Sequence, residues 1–307
     1  MKPFVLAAGL VLAAFAGCAD DATPRPTAPA LLPLARTEVS GTAWRGEIVV
    51  LGGLTKDGNA SARADVYSPT ANRWRRLPDL PVGLHHAAAV EFRGRVFAVG
   101  GYTVDSAQWQ ESARMFSLGV GNRAWREEPA LPASRGAHAA VALGDRIVAV
   151  GGVSESKIVG TSVVYTPETG WAAGPTMARA REHLAATVDA GRIFVIAGRA
   201  NGENFTDVDS WDGLTPEWRR EPSLNDSRGG IAAATVGGRP CVAGGEEAAG
   251  TIASVECLFA SQWRRVGELA VPRHGVAVVA VGEGLHVIGG GAQPGLFVTR
   301  AHEVLRL

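Results

Sequence analysis

The amino-acid sequence predicts an all-β fold: a six-bladed β-propeller whose last blade is closed by a strand from the amino terminus. Three observations predict it. A pair of small residues ends an apolar run six times, at Gly52-Gly53, Gly100-Gly101, Gly151-Gly152, Ala197-Gly198, Gly244-Gly245 and Gly289-Gly290. Sixteen positions before each pair stands Arg36, Leu84, Arg135, Arg181, Arg228 or Arg273. Ten positions earlier again, from the second pair onward, stands Trp74, Trp125, Trp171, Trp218 or Trp263. The pairs are 48, 51, 46, 47 and 45 residues apart, yet each Trp precedes its pair by 26. All length variation therefore falls between a pair and the next Trp. A fixed module with one variable loop, repeated at this period, is the pattern of propeller blades.

The third unit shows how each element arises. Residues 138–143 are largely apolar and read as a first strand. Gly144-Asp145 makes a tight turn, and residues 146–150 form the second strand of a hairpin. Gly151-Gly152 ends it, since glycine tolerates positive φ and close backbone approach. A third strand ends at Val164-Tyr165, and a fourth carries Trp171. Four antiparallel strands make one blade, which must bury its large side chains against the next. The sixth unit stops just past its third strand. Residues 28–33 resemble the segments preceding Arg135 and Arg273, with Pro26 where Trp would stand. They are expected to supply the missing strand and seal the ring.

The 30 basic and 30 acidic side chains cancel. That removes the electrostatic case for a nucleic-acid partner. The 39 glycines and 17 prolines fit a chain that turns often. Residues 4–16 form an apolar run too short to span a bilayer, with the length of a signal-peptide core. The expected organisation is a signal peptide over 1–17, a lipidated Cys18 with a proline-rich tether over 18–26, and the propeller over 27–307. Phe15-Ala16-Gly17-Cys18 resembles a bacterial lipobox. The alternative is cleavage by ordinary signal peptidase after Ala14-Phe15-Ala16. Lipidation implies an exported protein anchored in the cell envelope, facing the periplasm or the cell surface. Ala19, rather than aspartate, follows Cys18. By resemblance to Gram-negative lipoprotein sorting, this leans toward the outer membrane.

The repeated Gly pair, aromatic residue and Trp resemble the kelch signature over nearly all of residues 27–307. Tyr67, Phe116, Tyr165 and Trp211 fill the aromatic slot, and Leu258 and Leu305 replace it in the last two units. The resemblance implies a binding face carrying both the variable loops and the blade-to-blade connections. Arginines in those connections contact acidic peptides in some members. Arg36, Arg135, Arg181, Arg228 and Arg273 are therefore candidates for an anion-binding mouth, since guanidinium forks suit carboxylate or phosphate. The alternative is that they hydrogen-bond strand carbonyls in every blade. Leu84-His85-His86 breaks the ring at the second blade, and His85 and His86 join the candidate mouth.

Five of the seven histidines, His85, His86, His138, His183 and His274, lie within three residues of the arginine position. Histidines from different blades around a wide mouth are not expected to converge on one ion, so no metal and no cofactor is expected. Trp109, Phe205 and Phe297 sit in variable loops and either anchor a ligand or pack their own loop. Asp207, Asp209 and Asp212 miss the calcium-loop spacing and are expected in a solvated loop. Cys241 and Cys257 fall on neighbouring strands of the fifth blade and are a possible disulfide.

No G-x-S-x-G, H-E-x-x-H, C-x-x-C or P-loop is present. The expected function is a monomeric, non-enzymatic envelope module recognising a protein, peptide or glycan at the propeller mouth. The alternative is a periplasmic sugar-acid enzyme resembling sialate mutarotases, with Arg135, Arg181 and Glu182 or His183 in the mouth. Glu182 is expected to face solvent.

Overall fold

The computed structural model describes Met1 and residues 28–307; the rest of the expected signal peptide, Cys18 and the expected tether lie outside the described residues. The chain forms six antiparallel sheets in a ring. Blade 1 runs, from the axis outward, Ser40–Trp44, Glu47–Leu51, Ala64–Ser68, Arg73–Arg76. Blades 2 to 5 repeat that order, with innermost strands Ala88–Phe92, Ala139–Leu143, Ala185–Asp189 and Ala232–Val236. Blade 6 has three strands, Ala277–Val281, Gly284–Ile288 and His302–Arg306. Each innermost strand packs against those of the two adjacent blades, and blade 6 meets blade 1. Among the described residues no helix is long and apolar enough to cross a membrane.

The core is divided among the blade interfaces, with one buried apolar cluster for each of the six. Each outer-strand Trp lies at the interface with the preceding blade. Its indole N–H donates to a carbonyl there: Trp125 to Pro78, Trp171 to Pro129, Trp218 to Pro175, Trp263 to Pro222. Six residues beyond each Trp comes an apolar plug: Leu80, Leu131, Met177, Leu224 or Leu269, each at most 5% exposed. Its backbone N–H bonds the third-strand side of its own blade, as Leu80 does to Ala62 O and Leu224 to Thr206 O.

This frame shows how the ring closes. Trp74 donates to Ala30 O, the place held by Pro78 or Pro129 elsewhere. Leu32 is fully buried in the plug position, and its N–H bonds Arg300 O beside the last strand. The amino-terminal segment thus takes the outermost place of blade 6, in the register of the other blades. It does so without forming a ladder strand, so the sheet itself stays three-stranded. Pro29 and Pro33 lack the N–H groups a ladder needs.

The interface between blades 5 and 6 contains no Trp. Cys241 and Cys257, opposite each other in register, are joined there in a disulfide.

Candidate functional site

The five arginines do not line the mouth. None is more than 4% exposed. Arg36 donates to Gly52 O and Arg63 O, Arg135 to Gly151 O and Thr161 O, and Arg228 to Gly244 O and Ser254 O. Arg181 and Arg273 donate to Val195 O and Val287 O. Four of them also meet a carboxylate two positions before the aromatic slot: Asp65, Asp209, Glu256 and Glu303. Burial draws their pKa values down, that of Arg36 to about 10. In blade 2, where Leu84 replaces the arginine, Arg114 replaces the carboxylate. The arginine is thus a cross-brace within each blade, and the anion-binding ring expected from the sequence is corrected accordingly.

The mouth is built by the next two residues. Glu38, His86, Ala137, His183, Gly230 and Gly275 stand two positions after the arginine position, and all six have φ between 50° and 68°. Their backbones link into a ring around the axis. His86 N bonds Glu38 O, Ala137 N bonds His86 O, and His183 N bonds Ala137 O. Gly230 N bonds His183 O, Gly275 N bonds Gly230 O, and Val39 N returns to Gly275 O. The left-handed turn is required by this closure and aims the side chains at the axis. Two glycines at blades 5 and 6 leave room beside Glu38, His86 and His183. The residue one position earlier bridges to the residue after the Gly pair, as His85 does to Tyr102, Glu182 to Arg199 and Gly229 to Glu246. In blades 2 to 5 the variable loops continue as short hairpins, Tyr102–Asp105 with Gln108–Glu111 in blade 2 and Arg199–Ala200 with Glu203–Asn204 in blade 4.

The result is a connected polar cluster. His86 Nε2 lies 3.1 Å from Glu38 Oε2 and 3.0 Å from His183 Nε2. His183 Nδ1 faces Glu182, whose other oxygen accepts from Arg199 Nε at 2.9 Å. Arg199 also donates to Glu246 at 2.7 Å. His274 Nδ1 lies 3.1 Å from Glu38, and its Nε2 lies 3.0 Å from Gln293 O. Burial works most strongly against ionising Glu38, but the His86 charge and hydrogen bonds from His274 and His86 hold it well below the usual carboxylate range. Burial likewise opposes charge on His274, and the Glu38 carboxylate overcomes it, so its pKa is raised. His183 is pushed down by burial, and burial beside His86 draws His85 down to about 3.

A cavity of about 300 Å³ opens above this cluster, walled by Trp109, Leu54, Leu296, Arg199, Glu246 and His274. Trp109 is 51% exposed and sits 4.5 Å from the His85 ring and 5.2 Å from that of His86. The bore below is lined by small residues such as Gly41, Ala88, Ala139 and Ala186.

The other expected residues divide. Phe297 is exposed on its loop and is not one of the residues that wall the cavity, although its neighbour Leu296 is. Phe205 is buried beneath the Arg179 guanidinium, 4.4 Å from its ring centroid, and is not available to a ligand. Asp207 and Asp209 are buried in ion pairs with Arg220, Arg179 and Arg181, which corrects the expectation of a solvated loop; Asp212 caps a turn at Thr215. Glu182, expected in solvent, is part of the cluster. The histidines do converge, because alanine and glycine on the innermost strands keep the bore narrow. His138 alone stands aside, buried with neither ring nitrogen partnered. Arg199, Glu246 and Glu38 were missed. Their signal was chemical variety at fixed places in the repeat, just after the arginine position and just after the Gly pair.

The family model for the kelch motif matches residues 35–81 and 180–225. The chain is 26% identical over 230 residues to Kelch-like protein terF of Aspergillus terreus, covering 69% of this chain and 50% of that protein. It is 27% identical over 187 residues to alpha-scruin of Limulus polyphemus, covering 57% and 20%. It is 29% identical over 163 residues to human Kelch-like protein 35, covering 52% and 27%. The chain spans half or less of the length of these relatives. Among solved structures, that of YjhT superposes with a TM-score of 0.79 at 14% identity, covering 91% of this chain and 97% of that one. That likeness is one of fold. Repeat, topology and matches agree: the chain is an all-β six-bladed β-propeller with kelch repeats.

Proposed function

We propose that this chain is an exported cell-envelope binding module, lipid-anchored through Cys18, that takes one hydroxyl-rich unit of a glycan in its mouth. The observation that carries this is Trp109, half-exposed at the rim of a cavity floored by carboxylates and imidazoles. An indole face stacks on a sugar ring, and carboxylates accept from its hydroxyls. A volume of about 300 Å³ suits one monosaccharide unit. Glu38, Glu182 and Glu246 face a single arginine, Arg199, which already bridges two of them. That balance favours a neutral glycan over an acidic one, since the five repeat arginines are spent inside the blades. Thermal-shift titration with neutral glycans, acidic sugars and acidic peptides tests it. A neutral glycan at a hundred times its dissociation constant should add about 2.7 kcal/mol. For a chain of this size that is a shift of about 5 °C, absent in Trp109→Ala. A shift with acidic peptides alone would overturn the glycan assignment.

A second reading rests on the two carboxylate–imidazole pairs, Glu182 with His183 and Glu38 with His86. Such pairs move protons, as anomer exchange of a sugar requires. Exchange measured by NMR tests it: acceleration lost in Glu182→Gln supports an enzyme, and an unchanged rate removes that reading.

A further inference from the structure

We propose that Glu38, His86 and His183 form a binding site for a divalent first-row transition metal, zinc foremost, at the propeller axis. Their nearest donor atoms all lie within 4.8 Å of one another. Ligands held at 2.0–2.1 Å in a tetrahedron stand about 3.4 Å apart. His86 Nε2 is 3.0 Å from His183 Nε2 and 3.1 Å from Glu38 Oε2, so those two pairs need to open by only a few tenths of an ångström, while the third pair, His183 with Glu38, lies within 4.8 Å and closes by up to about 1.4 Å to reach that spacing.

The hydrogen bonds around the trio orient it for metal. His183 Nδ1 faces the Glu182 carboxylate, so its proton sits there and Nε2 presents a lone pair. Glu182 is itself held by Arg199. This carboxylate–histidine arrangement is the one that fixes ring orientation behind a metal ligand. His86 Nδ1 is 2.6 Å from His85 Nδ1. With the proton between them on His86, its Nε2 also turns a lone pair inward once the proton it shares with Glu38 is displaced, as metal binding displaces ligand protons. Two lone pairs and a carboxylate then meet at one point, a donor set that suits a cation. All three residues stand on the hydrogen-bonded backbone ring, so the trio is built before any ion arrives. Two imidazoles and one carboxylate select zinc, cobalt or nickel over calcium and magnesium, which prefer all-oxygen sites. The fourth position opens on the cavity beside Trp109 and Arg199. The inference goes beyond the binding role and is independent of it, because metal uptake is measured with no glycan present.

The test uses the full chain without a tag, stripped with chelator and titrated with Zn²⁺ and, separately, Co²⁺. The expected result is one equivalent of zinc per chain, and with cobalt the intense visible absorption of a four-coordinate site. His183→Gln and Glu38→Gln should weaken uptake at least tenfold. Glu182→Gln, which touches no metal, should weaken it roughly 10- to 100-fold. Glu155→Gln, on an exposed loop, should change nothing. Wild-type protein that takes up no metal at micromolar concentration overturns the proposal and leaves a shared proton to hold the trio. Equal uptake by folded His183→Gln and Glu38→Gln overturns it as well. If those variants do not fold, the wild-type cobalt spectrum decides: its absence overturns the site.

Discussion

Replacing Arg228 with leucine separates a brace from a ligand contact. Its guanidinium is fully buried, 2.6 Å from the equally buried Glu256 and within bonding distance of Gly244 O and Ser254 O. Arg228→Leu removes one partner of a buried ion pair and strands the other, a change that costs about 3–5 kcal/mol. For a domain of this size that lowers Tm by roughly 6–15 °C. Blade 2 shows that the fold accepts a different solution, with Leu84 and Arg114 at the two positions. The double variant Arg228→Leu/Glu256→Gln removes the stranded charge while keeping an acceptor for Asn225. It should recover about 2 kcal/mol or more. Urea unfolding of wild type, single and double variants measures both numbers. An Arg228→Leu protein within about 1 kcal/mol of wild type, or a double variant no better than the single, would refute the brace.

Three further outcomes follow from the same physics. His138→Leu places an apolar residue where blades 1, 4, 5 and 6 carry Val39, Leu184, Ile231 and Val276; relieving an unpartnered buried imidazole should stabilise by about 1–3 kcal/mol. Burial lowers the His138 pKa to about 3, so the unfolded chain protonates first as pH falls below about 6.5; wild-type stability is full above that and declines toward pH 3, and at pH 5 the variant's advantage should grow by about 2 kcal/mol. Leu32→Ala should cost about 2–5 kcal/mol if residues 28–32 seal the ring, and a loss under 1 kcal/mol in urea unfolding would remove that role. The Cys241–Cys257 disulfide should appear as a two-proton mass deficit in purified protein, and its reduction should cost about 3 kcal/mol for a loop of this length.

Much of the fold was legible because the repeat fixes large, buried side chains at constant spacing. Each Trp fills a blade interface and each Gly pair adopts positive φ where the chain turns into its variable loop. The mouth was harder to read. Regularity drew attention to the arginines, yet a residue repeated in five blades serves what the blades share, their own carbonyls. Glu38, His86 and His183 differ because they face the axis, where each blade is free to contribute something else. Loop aromatics were ambiguous for a related reason: Trp109 leans on His85 and His86, whereas Phe205 is covered by an arginine of its own blade. Alternation and spacing do not encode those contacts.

The central claim is that ligand recognition belongs to the axial cluster and its rim, and that the arginine ring holds the blades. Calorimetric titration with the best-bound glycan, on Trp109→Ala and Arg135→Leu side by side, tests it most directly. Trp109→Ala should keep the wild-type Tm and lose at least tenfold in affinity. Arg135→Leu should melt earlier and, while folded, bind as wild type does. Lost affinity in folded Arg135→Leu, with Trp109→Ala binding normally, would contradict it.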